Sequence, residues 1–241
     1  MDRDLQIFKD PRLLANELSK ELMNWVAESS GGSYHLAVSG GNTPNLLFST
    51  LAANYAESRL WQKCHFWWVD ERMVSPEDPE SNFGRCRELL LSKIDIPSEN
   101  IHRIRGEREP YQEAEDYETA LKTTLPTQNG WPRFDFMLLG MGEDGHTASI
   151  FPNQLELLKS SHLCAVATHP VTLQKRVTLT GNVINHAVKI CFQVTGANKA
   201  GPLSEIWHEG EKGKMLPAGN IRPVNGQMQW FADELAVHLI T

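Results

Sequence analysis

A chain of 241 residues, 41% hydrophobic and 22% charged, has the composition of a soluble globular protein and length enough to bury a full α/β core. Its net charge of −7 argues against a nucleic-acid partner, which needs clustered Lys and Arg, yet leaves room for a locally positive pocket around a small anion. No apolar run approaches the ~20 residues that span a bilayer, and the start MDRDLQIFKDPRLL lacks a signal-peptide core, so a cytoplasmic protein with no membrane partner is expected.

In chain order, Leu14, Leu18, Leu22 and Trp25 recur at helical spacing and predict an amphipathic helix over 11–28. SGGS then turns the chain into a strand, YHLAVS. In GGNTPNLLFSTLAANY a loop leads into a helix, with Thr43 as N-cap and Pro44 at the first helical position. CHFWWVDE reads as one buried strand ending in an acidic cluster, with Trp67 and Trp68 as core. Ser81 caps a helix through RCRELLLSK, and YQEAEDYETALKTTL is a further helix. FDFMLLG, HLCAVATH, RVTLTGNVI and KICFQVTG are four more strands. ANKAGPLSEIWHEG starts another helix, and Phe231, Leu235 and Leu239 are expected to form the apolar seam of a closing helix.

Strands that alternate with helices and read as continuous apolar runs predict an α/β fold: a mostly parallel Rossmann-like sheet with helices on both faces. No linker or repeat divides the sequence, so residues 1–241 are read as one domain. Cys64, Cys86, Cys164 and Cys191 form no paired motif and are expected as buried free thiols. The nine histidines include no HExxH, so no metal site is expected.

Ligands of such sheets bind beyond the carboxyl ends of the strands. Those ends read SGGNTP, VDER, GMGEDGHTASIFP and the loop after FQVTG. Ser39, Gly40, Gly41, Asn42 and Thr43 allow close backbone approach and open a helix, which favours a single phosphate; the alternative is an ordinary tight turn. In VDER, Asp70 is a candidate base or orienting group and Arg72 an anion ligand; a surface salt-bridge cluster fits the spacing equally. Arg176 and Lys199 are lone cations that matter only if they converge on SGGNTP, which spacing does not show.

Gly140, Gly142 and Gly145 satisfy G-x-G-x-x-G, but a dinucleotide turn needs a helix running on from the third glycine. Pro152 interrupts, Glu143 and Asp144 repel a pyrophosphate, and the next strand ends in His169 rather than a ribose-binding acid. A glycine-loosened loop remains, presenting Asp144, His146 and Thr147. His146 is suited to proton transfer near neutral pH, with Asp144 two residues away to orient it; a histidine bonded to backbone is the alternative.

SGGNTP, VDER with the later SNF, GMGEDGHTASIFP, RVTLT, GANK, and LPA followed by WFADELA run almost end to end. In that order they resemble the 6-phosphogluconolactonase family, which shares its fold with glucosamine-6-phosphate deaminases. The deaminases tend to carry DEY where this chain has Asp70-Glu71-Arg72, and they continue the D-G-H loop differently from Thr147–Pro152. Lys175 stands where the family usually has Pro. The resemblance implies a glucosamine-6-phosphate deaminase/ribose-5-phosphate isomerase-like fold. It also implies hydrolysis of 6-phospho-D-glucono-1,5-lactone in the oxidative pentose phosphate pathway, without a cofactor, by a monomer or small homo-oligomer. On that resemblance the phosphate lies at Ser39–Thr43 with Arg176, Lys199 and Arg72, His146 is the general base, and Asp144 and Asp70 assist. An amino-sugar-phosphate deaminase with Asp70 as carbon base, or a non-catalytic sugar-phosphate sensor, are the alternatives.

Overall fold

The computed structural model describes residues 4–240. In chain order the strands are β1 (Asp4–Phe8), β2 (Tyr34–Val38), β3 (Cys64–Trp68), β4 (Asp70–Arg72), β5 (Ile101–His102), β6 (Thr127–Gln128), β7 (Trp131–Pro132), β8 (Phe136–Gly140), β9 (Cys164–Thr168), β10 (Lys175–Leu179), β11 (Lys189–Val194) and β12 (Gln227–Asp233). The helices are α1 (Pro11–Glu28), α2 (Asn42–Tyr55), α3 (Asn82–Leu89), α4 (Pro110–Thr124), α5 (Gly181–Asn185), α6 (Ala200–Trp207), α7 (Glu211–Lys214) and α8 (Glu234–Val237).

Seven strands pair in the order β1-β12-β11-β8-β2-β3-β5, every neighbour parallel. Every residue of β2 is buried, so side chains pointing to opposite faces are both covered, which is why the sequence shows an unbroken apolar run. Trp67 and Trp68 are fully buried, as expected, and the four cysteines are buried free thiols. Asp10 caps α1 by accepting from the N–H groups of Arg12 and Leu13, and Ser81 caps α3 through Gly84. β11, β8, β2 and β3 lie side by side, so the loops beyond their carboxyl ends converge.

Four expectations are corrected. CHFWWVDE is not one strand. Val69 bonds through its N–H to Val38 in the parallel sheet and through its carbonyl to Leu179, so the chain changes sheets there. β4 then pairs antiparallel with β10, and β10 with β9, in a separate three-stranded sheet. RVTLTGNVI is likewise split: the strand stops at Leu179, and Ile184 N–H bonds to Thr180 to open α5. In α2 the cap is Gly41 rather than Thr43, because φ of +92° at Gly41 turns the chain two residues earlier. The closing helix does not carry the expected seam: Phe231 lies in β12, stacked on Phe8 at 5.9 Å, Leu235 and Leu239 are exposed, and α8 buries Ala236 and Val237 instead.

Candidate active site

One cavity of about 170 Å³ opens at the carboxyl edge of the central strands. Ser39, Gly40, Gly41, Asn42, Thr43, Asp70, Arg72, His146, Arg176 and Lys199 all line it. Asp144 is the predicted site residue that does not line it; it bonds to His146 from behind. The convergence that spacing could not show is therefore present in the structure.

The floor is the start of α2. Gly41 provides no side-chain cap, so the first N–H groups of the helix are left for a ligand, and the helix dipole favours negative charge there. Ser39 accepts a hydrogen bond from Gly140 N–H at 3.3 Å and so ties the first loop to β8. Gly40 is required by close packing: a Cβ there would fall 1.9 Å from Oδ1 of Asn82. Asn82 in turn donates to the Asp70 carbonyl at 2.9 Å.

The cationic wall comes from the small sheet. Arg72 and Arg176 are direct cross-strand partners on β4 and β10. Arg72 donates to the Glu80 carbonyl at 2.7 Å, and Arg176 reaches Ser149 Oγ at 3.5 Å. Among the described residues, Nε of each is buried without an acceptor. Burial pulls the pKa of Arg176 below its usual value, with the Asp70 carboxylate working the other way and the neighbouring Arg72 adding to the cost. Lys199 is lowered too, by burial, with Glu143 and Asp144 working the other way.

Among the three residues after Val69, Asp70 and Arg72 line the cavity while Glu71 is 1% exposed beneath it. Glu71 accepts from the N–H groups of Arg72, Asn82 and Phe83 and from Ser81 Oγ, fixing the start of α3. Burial pushes its carboxyl up to about 7, against those hydrogen bonds. This is not a surface salt-bridge cluster. Asp70, also buried, accepts from Ser149 Oγ at 2.7 Å.

The glycine loop does not continue into a helix. Gly145 N–H bonds to Gly142, Gly145 has φ of +76°, and Thr147 pairs with Ile150 across a turn in which Ala148 has φ of +50°. A dinucleotide cradle is absent, as the sequence predicts. Instead His146 Nδ1 meets Asp144 Oδ1 at 2.5 Å. Burial acts to raise the Asp144 carboxyl, but the hydrogen bond and charge of His146 hold it below the usual range. An ionised carboxylate only accepts, so Nδ1 donates to it, and in the neutral ring Nε2 is the nitrogen left with a lone pair. Sequence reasoning missed Ser149, Ala148 and Met141, whose small or apolar side chains carry no chemical signal of their own; Ala148 and Met141 line the cavity. Among the described residues no group of His, Cys, Asp or Glu is placed to hold a metal ion, and no helix is long and apolar enough to cross a membrane.

Fold and site together define a parallel α/β protein with an anion-receptive pocket and a His–Asp pair at the carboxyl edge of its sheet. Residues 9–230 match the family described as glucosamine-6-phosphate isomerases/6-phosphogluconolactonase. The chain is 46% identical over 207 residues to the 6-phosphogluconolactonase of Haemophilus influenzae, covering 86% of this chain and 87% of that protein. A solved structure described as devB protein superposes with a TM-score of 0.93 at 40% identity, over 99% of both chains. A monomeric glucosamine-6-phosphate deaminase shares the fold, with a TM-score of 0.82 at 18% identity over 98% of this chain and 99% of its own. The chain belongs to the glucosamine-6-phosphate isomerase/6-phosphogluconolactonase family.

Proposed function

We propose that this chain is a 6-phosphogluconolactonase, a carboxylic ester hydrolase that converts 6-phospho-D-glucono-1,5-lactone to 6-phosphogluconate in the oxidative pentose phosphate pathway. The observation that carries this reading is a single cavity flanked by a tethered His–Asp pair on one loop and two under-partnered guanidiniums on another sheet. The names of the relatives support the substrate.

In this reading the 6-phosphate sits on the N–H groups at Gly41–Thr43, held by Arg176 and Lys199, with Arg72 beside it. Water attacks the lactone carbonyl while Nε2 of His146 takes its proton, and Asp144 stabilises the imidazolium that forms. Backbone N–H groups of the 140–148 loop receive the charge of the tetrahedral oxyanion, each worth about 3 kcal/mol where well aimed. The C–O bond of the ring then breaks, and His146 returns the proton to the departing ring oxygen. The new carboxylic acid ionises. No step calls for a metal or an organic cofactor. Asp70, held by Ser149, orients the water or a sugar hydroxyl. We read the whole of 1–241 as one lactonase domain acting in the cytoplasm as a monomer or small homo-oligomer, a compartment that suits four free thiols.

The test follows acid release from freshly made 6-phosphogluconolactone. His146→Ala should lower kcat by about 10²–10⁴; near-wild-type kcat in that variant would remove His146 as the base. Ammonia release from glucosamine 6-phosphate without lactone hydrolysis would replace the lactonase reading by a deaminase.

A further inference from the structure

Phe151 ends the loop that carries His146, and its ring is fully buried. Three functional or supporting groups meet on it. The His146 ring lies with its centroid 4.9 Å away, tilted by 51°. The Arg176 guanidinium carbon lies 5.6 Å from the ring centre, within cation–π range. The His169 ring packs edge-on at 5.2 Å. His169 is itself fixed: its Nδ1 accepts from the N–H groups of Val171 and Thr172, in the turn between β9 and β10.

The other restraint on His146, its bond to Asp144, is made within two residues on the same glycine-bearing loop, and the Asp144 side chain is 43% exposed. It fixes the tautomer but does not fix the ring against the rest of the protein. Arg176 likewise has little else to hold it, with Nε unpartnered and only a 3.5 Å contact to Ser149. The ring of Phe151 is the rigid body that both share.

We infer that Phe151 is a positioning residue that sets the separation between His146 and Arg176, and thereby between the site of proton transfer and the site of the phosphate. This rests on the proposed roles of those two residues. A substrate whose reacting carbonyl and phosphate are joined by a short sugar skeleton needs that separation held closely, since a displacement of about 1 Å costs on the order of 10² in rate. The turn at Ala148, with its unfavourable positive φ, delivers Phe151 to this place and Ser149 to Asp70 at once.

Phe151→Leu should lower kcat by about tenfold to a hundredfold on 6-phosphogluconolactone and raise its KM several-fold. On unphosphorylated gluconolactone, which does not use Arg176, kcat should fall while KM stays. In an Arg176→Ala background the KM increase on the phosphorylated substrate should vanish, because Phe151 acts through Arg176. The His146 ring-proton resonances should also move in Phe151→Leu, as the aromatic ring beside them is lost. A kcat loss equal to the fraction of protein unfolded, with KM factors that multiply in the double variant and His146 resonances unmoved, would overturn the inference. If Phe151→Leu does not fold, Phe151→Met, whose flexible unbranched chain adapts to an irregular gap, should give the same pattern. A His146→Ala variant that keeps its activity would sink the base assignment; a His146→Ala variant that loses it, with multiplicative Phe151 factors, would sink this inference alone.

Discussion

A methyl group added at Gly142 would stand 2.1 Å from Nδ1 of His146 and 2.5 Å from Oδ1 of Asp144. Gly142 is thus glycine for a different reason from Gly145, whose φ of +76° is the conformation that makes the turn. The obstacle at Gly142 is a pair of side chains that can swing away, so the fold tolerates the change and the site does not. Gly142→Ala is expected to cut kcat on 6-phosphogluconolactone by about 10², the scale of losing general-base assistance. KM and the melting temperature should remain near wild type. Steady-state kinetics and thermal denaturation of the same preparation check this, and a melting temperature that falls in step with kcat would show that Gly142 serves the fold instead. The sequence pattern that imitates a nucleotide motif therefore has a local steric origin in which each glycine answers a separate need.

At the scale of elements, the anion site depends on one pairing, β4 against β10, which sets Arg72 opposite Arg176 and Thr178 opposite Asp70. A charge-assisted hydrogen bond contributes about 1.5–3 kcal/mol. Arg176→Ala should accordingly raise KM for the phosphorylated lactone by roughly 10–100-fold and leave an unphosphorylated lactone little changed. Kinetics on both substrates decide it: equal losses on the two would remove the phosphate role. None of this pairing was legible in the sequence, where Arg72 and Arg176 are far apart, Arg72 reading as part of the VDER cluster and Arg176 as a lone cation. What was legible lay in single segments. SGGNTP and GMGEDGH each follow an apolar run, and a loop at a strand end in a parallel sheet lies near its neighbours' loops whatever the strand order. Three of the four misreadings share one cause, an apolar run or spacing that two structures satisfy, whereas the cap of α2 turns on the positive φ of Gly41. Phe231, Leu235 and Leu239 recur at helical intervals, yet residues 227–233 fit the slot between β1 and the neighbouring β11. Tertiary pairing then overrides the local period. The apolar runs of β9 and β10 likewise do not announce that they leave the main sheet.

Across the whole molecule, the catalytic edge of the sheet has a counterpart near the other end of its strands, where β2, β3 and β5 bring three histidines together. His65 Nδ1 lies 3.0 Å from His102 Nε2, His35 stacks obliquely on His65 at 4.8 Å, and Trp67 donates to His35 Nδ1 at 3.2 Å while stacking on His102 at 3.9 Å. Burial, followed by the mutual repulsion of the imidazoliums, pushes His35 and His102 down to about 4, and burial lowers His65, with Glu99 opposing. Above the ordinary histidine pKa of about 6.5 the rings are neutral in both folded and unfolded chains and stability is independent of them. Between there and about 4 the unfolded chain takes up protons that the native state refuses, so stability falls as pH falls. Glu71 works in the opposite sense, since burial raises its carboxyl to about 7 and the native state binds that proton first. Asp135, whose carboxylate accepts from His35 N–H and is raised by burial, adds to Glu71. Two strongly depressed histidines outweigh one strongly raised carboxyl. At about 1.4 kcal/mol per pKa unit, the net loss from pH 7 to pH 4.5 is about 2 kcal/mol. Denaturant unfolding across that range measures it, and His102→Asn should flatten the slope while leaving lactone hydrolysis at pH 7 unchanged. A slope that stays equally steep in the variant would place the acid sensitivity elsewhere. Because the cluster packs on Trp67, next to the Trp68–Val69 step where the chain changes sheets, its protonation weakens the frame that delivers Asp70 and Arg72.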